Sequence, residues 1–349
     1  MAKFSGKDTI TKYNQILGDL KNKIYKPVYI LMGDEVYYID KLSDFIANNV
    51  LPESERSFNQ TVIYGKDVVD ISLISDSARR FPMMANYQVI IVREAQEIKK
   101  IEELEGYIKN PLKSTILVIC YKGKTIDKRT SFYKTVLKNG EVLESVKLYD
   151  DKVSTWISTY IKQQGFDIEP TAALILADFL GTDLSKIVNE LNKLFTVLPE
   201  NRKKITTLDI EKNIGISRDY NTFELCNAIS KREVMKANKI VLHFTKNPKD
   251  YPLNLTIATL FSQFSKLLKL HDLRRRNRDI SALGINPFFM KDYDTAARNY
   301  NLQQIVKVIS LLREYDMKSK GFNYVEADDG ELLRELTSKI FNVDYIPLK

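Results

Sequence analysis

A glycine that follows an apolar strand pattern is the first place to look for catalytic chemistry in this chain. Gly33 ends the pattern 28–32, and a helical pattern follows it. Nucleotide sites of the P-loop type share this order and have the form G-x-x-x-x-G-K-[ST], so that backbone N–H groups and a lysine bind the phosphates. If Gly33 is the first glycine, the positions that need Gly, Lys and Ser/Thr hold Tyr38, Ile39 and Asp40. The phosphate-binding half of the site is missing.

The magnesium-binding half of a nucleotide site is missing as well. A carboxylate should follow the strand pattern at 89–92, but Arg93 stands there and only Glu94 remains. The loop after Gly33 also carries the acidic pair 34–35, which would repel a triphosphate. The sequence therefore predicts a nucleotidase-like scaffold that binds no nucleotide, and we expect no cofactor.

Other residues that often carry catalysis are few. His243 and His271 each lie on a helical pattern with no nucleophile or metal ligand nearby in sequence. Cys120 and Cys226 are far apart and lie in apolar patterns, as reduced core cysteines do. We expect no catalytic residue and no metal site.

The stretch before the third predicted strand indicates a different activity, which is the binding of a partner through apolar side chains. Pro82 disfavours helical geometry at Phe81, so a helix through residues 79–80 should end there. Met83 and Met84 then lie in a short connection at one edge of the sheet, where both side chains cannot point into one core. Methionine is frequent on surfaces that bind partners. From these residues alone the pair either binds a partner or plugs the bottom of the domain.

A cluster of cations ends the long helical pattern at 252–275. Its members are Arg274, Arg275, Arg276 and Arg278. Cations stabilise a helix C-terminus, so the cluster has either that role or a phosphate contact. The net charge of +8 is compatible with work close to DNA or RNA, although the charges are spread along the chain.

The composition is that of an ordinary globular protein with two or three domains. Hydrophobic residues make up 44% and charged residues 28% of the 349 positions, which is enough for sizeable cores. The first residues lack an apolar signal core, and no apolar run reaches membrane-spanning length. We expect a cytoplasmic protein with no membrane partner.

The elements that must position these residues alternate in the first part of the chain. Strand patterns occur at 27–32, 61–64, 89–92, 115–120 and 142–147, with helical patterns near 9–24, 38–46, 67–78, 97–108 and 127–138. This alternation predicts a five-stranded, mostly parallel α/β sheet with right-handed crossovers.

From about residue 150 the strand patterns stop. Three helices fit 151–161, 171–180 and 183–194, and a short polar stretch at 214–219 marks the next boundary. Beyond it we expect helices at 221–230, 232–245, 252–275, 298–315 and 330–342.

Short motifs along the whole chain match, in order, those of a known family. They are residues 28–35, 81–84 with 92–94, 117–118 with 127–129, Trp156, 183–194, 223–225 with Ala228, 252–253, and Asp316 with Lys318. Through them, the absent ATP site and the three-part layout, the chain resembles the delta subunit of the bacterial DNA polymerase III clamp loader.

The resemblance implies a fold of three domains. These are an AAA+-like five-stranded parallel sheet domain with a degenerate nucleotide site (1–148), a small helical lid-like domain (149–214) and a C-terminal helical collar domain for oligomerisation (215–349). Leu260, Phe264, Leu267 and Leu268 lie on an apolar stripe of the collar, which serves either a subunit interface or a core seam.

The resemblance also implies a function without catalysis. The family binds the ring-shaped sliding clamp (beta subunit) and opens it for loading on primed DNA, while gamma/tau-like ATPase and delta-prime-like subunits act beside it in the polymerase holoenzyme. Its clamp contact corresponds to Phe81, Pro82, Met83 and Met84, where many relatives carry aromatic or leucine side chains. The arginines at 274–278 are candidate DNA contacts.

Two other classes compete with this interpretation. One is a stand-alone DNA-binding protein of AAA+ ancestry that uses the arginines at 274–278. The other is an active ATPase with an unrecognised site, against which Tyr38, Ile39, Asp40 and Arg93 argue.

Overall fold

The computed structural model describes residues 6–199, 203–216, 220–322 and 328–345. The chain divides into two compact units, Met1–Tyr149 and Asp150–Lys349. The further boundary predicted at 214–219 lies within the second unit, and its residues Ser217, Arg218 and Asp219 are outside the described part of the chain. The division into three domains stays a prediction.

The first unit is built on a parallel sheet of five strands. The strands are β1 (Val28–Gly33), β2 (Gln60–Tyr64), β3 (Gln88–Arg93), β4 (Thr115–Lys122) and β5 (Glu141–Ser145). Their order is β2-β3-β4-β1-β5, and every neighbouring pair is parallel. The central strands are nearly continuous apolar runs because both of their faces are covered. The predicted fold class is confirmed.

Helices cover this sheet. They are α1 (Gly6–Lys21), α2 (Val36–Asn49), α3 (Glu53–Asn59), α4 (Ser72–Ala78), α5 (Glu105–Ile108) and α6 (Ser131–Asn139). Side chains of α4, α5 and α6 share one buried cluster with alternate residues of the strands. Because successive side chains of a strand point to opposite faces of the sheet, only alternate strand residues contact these three helices.

Two predicted helices of this unit differ in the structure. The helix expected from Asp67 begins only at Ser72, because the Ser72 N–H donates to Asp70 Oδ1 (2.8 Å) and residues 65–67 form a 3-10 turn. The helix expected at 97–108 is a set of 3-10 turns that ends in the one-turn α5. Helix α3 was not predicted, because seven mostly polar residues leave no apolar period.

The second unit is almost entirely helical. Its helices are α7 (Asp150–Gln163), α8 (Pro170–Leu180), α9 (Leu184–Val197), α10 (Thr207–Ile214), α11 (Thr222–Ser230), α12 (Val234–Lys246), α13 (Leu253–Arg275), α14 (Met290–Asn299), α15 (Leu302–Ser319) and α16 (Asp329–Phe341). The helix predicted at 298–315 is α15, which begins only at Leu302 because Asn301 and Gln304 form a capping box. Helix α14 was not predicted.

The expectation that strands stop near residue 150 is wrong in one detail. Strands β6 (Asp167–Ile168) and β7 (Lys204–Ile205) pair in parallel, but two residues are too few to leave a strand pattern in the sequence. Among the described residues no helix is both long enough and apolar enough to cross a bilayer.

Candidate functional site

The connection between β1 and α2 lies where a nucleotide would bind in a parallel sheet, at the carboxyl ends of the strands. It contains only Asp34 and Glu35, so it is too short to wrap around phosphates. Gly33 has φ +123°, and a Cβ on it would lie 2.0 Å from the carbonyl oxygen of Ser145. Glycine is required here by close packing against β5, and not by a ligand.

The backbone N–H groups of Gly33 and Asp34 are already used within the protein. The Gly33 N–H donates to the Lys124 carbonyl (3.1 Å) and the Asp34 N–H to the Ser145 carbonyl (2.9 Å). The carboxylate of Glu35 is buried at the start of α2 and accepts from the Tyr37 N–H (3.2 Å). An acidic side chain thus occupies the helix N-terminus that would otherwise attract a phosphate.

Ion pairs fill the place where a magnesium acid would be. Arg93, at the end of β3, contacts Asp44 at 2.7 Å and Asp40 at 3.8 Å. Lys122, at the end of β4, lies 2.6 Å from Asp40. Burial lowers the pKa of Arg93, but the hydrogen bond to Asp44 and the neighbouring carboxylates more than offset it, so the pKa is raised and the cation is stabilised. The α2 carboxylates neutralise cations of the sheet and are not arranged to hold a metal.

The segment 79–87 connects α4 to β3 at the opposite end of the sheet. Helix α4 ends at Ala78, two residues earlier than predicted. Gln88 lies at this helix end, and its Nε2 donates to the Arg80 carbonyl (2.6 Å) and to Thr115 Oγ1 (2.7 Å). The same nitrogen lies 3.1 Å from the Ser77 carbonyl oxygen and 3.3 Å from that of Ala78. A buried amide therefore satisfies a carbonyl at the helix end and holds the start of the segment.

The apolar side chains of this segment point to solvent. Phe81 is 78% exposed, Met83 63% and Met84 104%. Met84 also has φ +53°, a left-handed conformation that is uncommon for a residue with a side chain. The exposure excludes the alternative that the two methionines plug the bottom of the domain.

A buried amide holds the middle of the segment as well. The Met83 N–H donates to Asn59 Oδ1 (2.7 Å), and Asn59 Nδ2 donates to the Met83 carbonyl (3.0 Å). Asn59 is 4% exposed and ends α3, the helix before the edge strand β2. The sequence analysis did not predict the role of either amide. The signal available in the sequence was weak: Gln88 is the first residue of β3, and Asn59 immediately precedes β2.

Exposed apolar side chains are frequent in the part of the chain that leads to this segment. Eight large apolar side chains between residues 58 and 84 are at least 42% exposed, namely Phe58, Val62, Tyr64, Val69, Leu73, Phe81, Met83 and Met84. Tyr64 pairs with Arg93 and so lies at the nucleotide end of the sheet. Since β3 has six residues, about 17 Å of strand separates Gln88, beside the segment, from Arg93 at that end.

The arginine cluster at 274–278 lies at the end of α13 and is exposed. Arg274 pairs with Asp294, while Arg275 (3.3 Å) and Arg276 (2.9 Å) both contact Asp272. These contacts fit the helix-end interpretation, and a role in DNA contact stays a prediction.

The two histidines and the two cysteines lie in surroundings that suit a structural role. His243 stacks on Tyr220, with ring centroids 4.8 Å apart, and His271 Nε2 lies 3.1 Å from the Tyr300 carbonyl oxygen. Cys120 and Cys226 are both buried and unpaired, as predicted. Burial raises the pKa of Cys120 to about 11, so its thiol stays protonated and unreactive at neutral pH.

The fold and the site together define a class of protein, an AAA+-like α/β domain with a degenerate nucleotide site followed by a helical unit. Sequence models of known families identify it further. The model "DNA polymerase III, delta subunit" matches residues 29–146, and the model of that subunit's C-terminal domain matches residues 219–327. The chain belongs to the DNA polymerase III delta subunit family.

Individual relatives agree with this assignment. The chain is 26% identical over 317 residues to DNA polymerase III subunit delta of Bacillus subtilis, covering 86% of this chain and 90% of the relative. It is 23% identical over 338 residues to the probable DNA polymerase III subunit delta of Aquifex aeolicus, covering 90% and 91%. The solved structure of the Bacillus subtilis DNA clamp loader delta protein has the same fold, with a TM-score of 0.51, 23% identity and coverage of 95% and 99%.

Proposed function

We propose that this chain is the subunit of a bacterial clamp loader that binds the sliding clamp and opens its ring, without binding ATP itself. Phe81, Pro82, Met83 and Met84 form the clamp contact. The observation that carries the proposal is their exposure on a connection that Asn59 and Gln88 hold in place. An exposed but ordered apolar anchor fits a preformed pocket on a partner with little ordering cost.

The energy available from this contact is sufficient for a protein interface. Burying a methionine side chain in a pocket is worth roughly 1.5–3 kcal/mol, so the pair changes affinity by about two to four powers of ten. Ring opening needs no hydrolysis in this chain. A binder that prefers the open ring shifts the equilibrium by its difference in affinity for the two states.

The second compact unit would join the other clamp-loader subunits, gamma/tau-like ATPases and a delta-prime-like subunit. It carries exposed apolar side chains on several helices, among them Met235 (74%) on α12 and Leu255 (58%) on α13. We also propose that the arginines at 274–278 contact primed DNA within the assembly, which would work in the bacterial cytoplasm. A stand-alone DNA-binding role has less support, because three of these arginines pair with carboxylates of the same unit.

Replacing both Met83 and Met84 by serine tests the proposal. We expect clamp binding at least about a hundredfold weaker, corresponding to about 3 kcal/mol for two anchors removed from a pocket. The melting temperature should stay within a few degrees, since neither side chain is buried. Affinity is measured by calorimetry with the sliding clamp of the same organism, and loading is measured on primed circular DNA.

The matched control is Met235→Ser, which removes an equally exposed methionine from the second unit. It should leave clamp affinity unchanged. Association with the ATPase subunits should survive the double substitution. An unchanged clamp affinity in a stable double variant would show that the proposed contact is wrong.

A further inference from the structure

We infer that Asn59 is a positioning residue for the clamp contact. Its side-chain amide holds the Met83 peptide in the binding conformation before the partner arrives. This inference rests on the proposed function of Met83 and Met84 and extends it to a residue that lies 24 positions earlier in the chain and is itself buried.

The geometry is that of two complementary hydrogen bonds. The amide oxygen of Asn59 accepts from the Met83 N–H at 2.7 Å, and its nitrogen donates to the Met83 carbonyl at 3.0 Å. Asn59 Nδ2 also donates to the Glu55 carbonyl (3.3 Å), which ties the amide to its own helix. Among the twenty side chains, only Asn and Gln carry a donor and an acceptor side by side, and the shorter one fits this distance.

Asn59 supplies the side-chain hydrogen bonds that the described residues make to Met83, in the middle of the segment. The Met84 side chain is fully exposed, so it gains no packing contact that would select its conformation. Its φ of +53° is a sparsely populated conformation, which persists only where the surroundings hold it. Asn59 holds the backbone of the neighbouring Met83. Gln88 bonds to the Arg80 carbonyl, which lies four residues before Met84.

The consequence is preorganisation. A binding segment that is already ordered loses less conformational entropy when it docks than one that must become ordered at that moment. Without Asn59, the same two methionines would remain present and exposed, but each docking event would first have to order residues 81–84. Affinity should then fall although no group that touches the clamp has changed.

The test compares the full-length parent chain with Asn59→Ala and Asn59→Asp, using the sliding clamp as ligand. Asn59→Ala removes both hydrogen bonds and should weaken clamp binding by about tenfold to a hundredfold. Asn59→Asp keeps the size and the acceptor but places a carboxylate oxygen against the Met83 and Glu55 carbonyls, so it should bind at least about tenfold more weakly. Circular dichroism establishes that both variants are folded. Asn49→Ala is the matched control, because among the described residues that amide bonds within its own helix, to the Phe45 carbonyl (2.8 Å).

Two further readouts separate positioning from general stability. In the free chain, amide hydrogen exchange at Met83 should become at least about tenfold faster in Asn59→Ala, which removes the acceptor of the Met83 N–H, while exchange in β3 and β4 is unchanged. In the background of Met83→Ser and Met84→Ser, Asn59→Ala should change clamp affinity by less than about twofold, because the two anchors that Asn59 positions are absent.

Failure of this inference is distinguishable from failure of the proposed function. If the double serine variant loses clamp binding while Asn59→Ala keeps parental affinity and parental exchange at Met83, the positioning role is wrong and the clamp contact stands. If the double serine variant itself binds normally, the clamp contact is wrong, and the role of Asn59 in clamp binding is overturned with it.

Discussion

At the scale of single residues, helix α13 carries both buried and exposed apolar side chains, which the sequence alone does not distinguish. Leu260, Phe264 and Leu267 of α13 are 0–1% exposed, and Leu268 packs against the same core. The stripe considered for a subunit interface is therefore a core seam. Phe261, only three residues from Phe264, is 48% exposed. An interface on α13 would have to use side chains such as Phe261.

This difference gives a prediction with a matched pair of substitutions. Phe264→Ala should lower the free energy of unfolding by about 3–5 kcal/mol, because it leaves a cavity in the core of the second unit. Phe261→Ala should change it by no more than about 0.5 kcal/mol. Urea denaturation followed by circular dichroism measures both values. Similar losses in the two variants would contradict the assignment of core and surface on this helix.

At the scale of elements, the connection between β1 and α2 determines what the α/β domain can do. Its two residues leave no room for a phosphate, its N–H groups bond to carbonyls of 124 and 145, and Glu35 occupies the start of the helix. The neighbouring strand ends carry Arg93 and Lys122 in ion pairs with α2. A triphosphate would have to displace these contacts and approach a buried carboxylate, which is unfavourable.

We therefore predict that the isolated chain neither binds nor hydrolyses ATP. Titration calorimetry with Mg·ATP should give no saturable heat at protein concentrations that detect micromolar binding. An ATPase subunit of the same clamp loader, titrated under the same conditions, serves as the positive control. Saturable micromolar binding by this chain would contradict the prediction.

Most elements of the fold could be predicted from sequence patterns, and the exceptions have physical reasons. The buried strands β1, β3 and β4 are continuous apolar runs that are hard to mistake. Helix α3 and strands β6 and β7 are too short to have a period. Gln88 bonds to the Arg80 carbonyl at the end of α4, a contact that no local rule around residue 78 could reveal.

The candidate site was predicted only in part, because some of its contacts join residues that are distant in the chain. Proline and two adjacent methionines are a local signal, and the segment was found from them. Asn59 reaches the segment across 24 residues, and only the arrangement of α3 and β3 brings the two together. Contacts between residues that are distant in the chain leave no mark in a single sequence.

At the scale of the whole molecule, the two compact units carry different apolar surfaces. The exposed side chains between residues 58 and 84 belong to Met1–Tyr149, while Met235, Leu255 and Phe261 belong to Asp150–Lys349. One buried cluster of the first unit is made of residues between Val28 and Val142 alone. The first unit thus has its own core and its own candidate contact.

The last prediction concerns a shortened chain that ends at Tyr149. It should fold, bind the sliding clamp within about threefold of the full chain, and fail to join the ATPase subunits, because the proposed assembly surfaces lie in the second unit. A cut at the boundary predicted from the sequence, 214–219, would divide the second compact unit. A cut at Tyr149 leaves both units whole.

Circular dichroism first establishes that the shortened chain is folded, and calorimetry then measures its clamp affinity. Size-exclusion chromatography with the ATPase subunits tests assembly, with the full chain as reference. The same shortened chain with Met83→Ser and Met84→Ser is the control, and it should not bind the clamp. If the shortened chain is folded and still joins the ATPase subunits, the second unit is not what holds this protein in the assembly. If it is folded but has lost the clamp, residues 81–84 are not a sufficient contact.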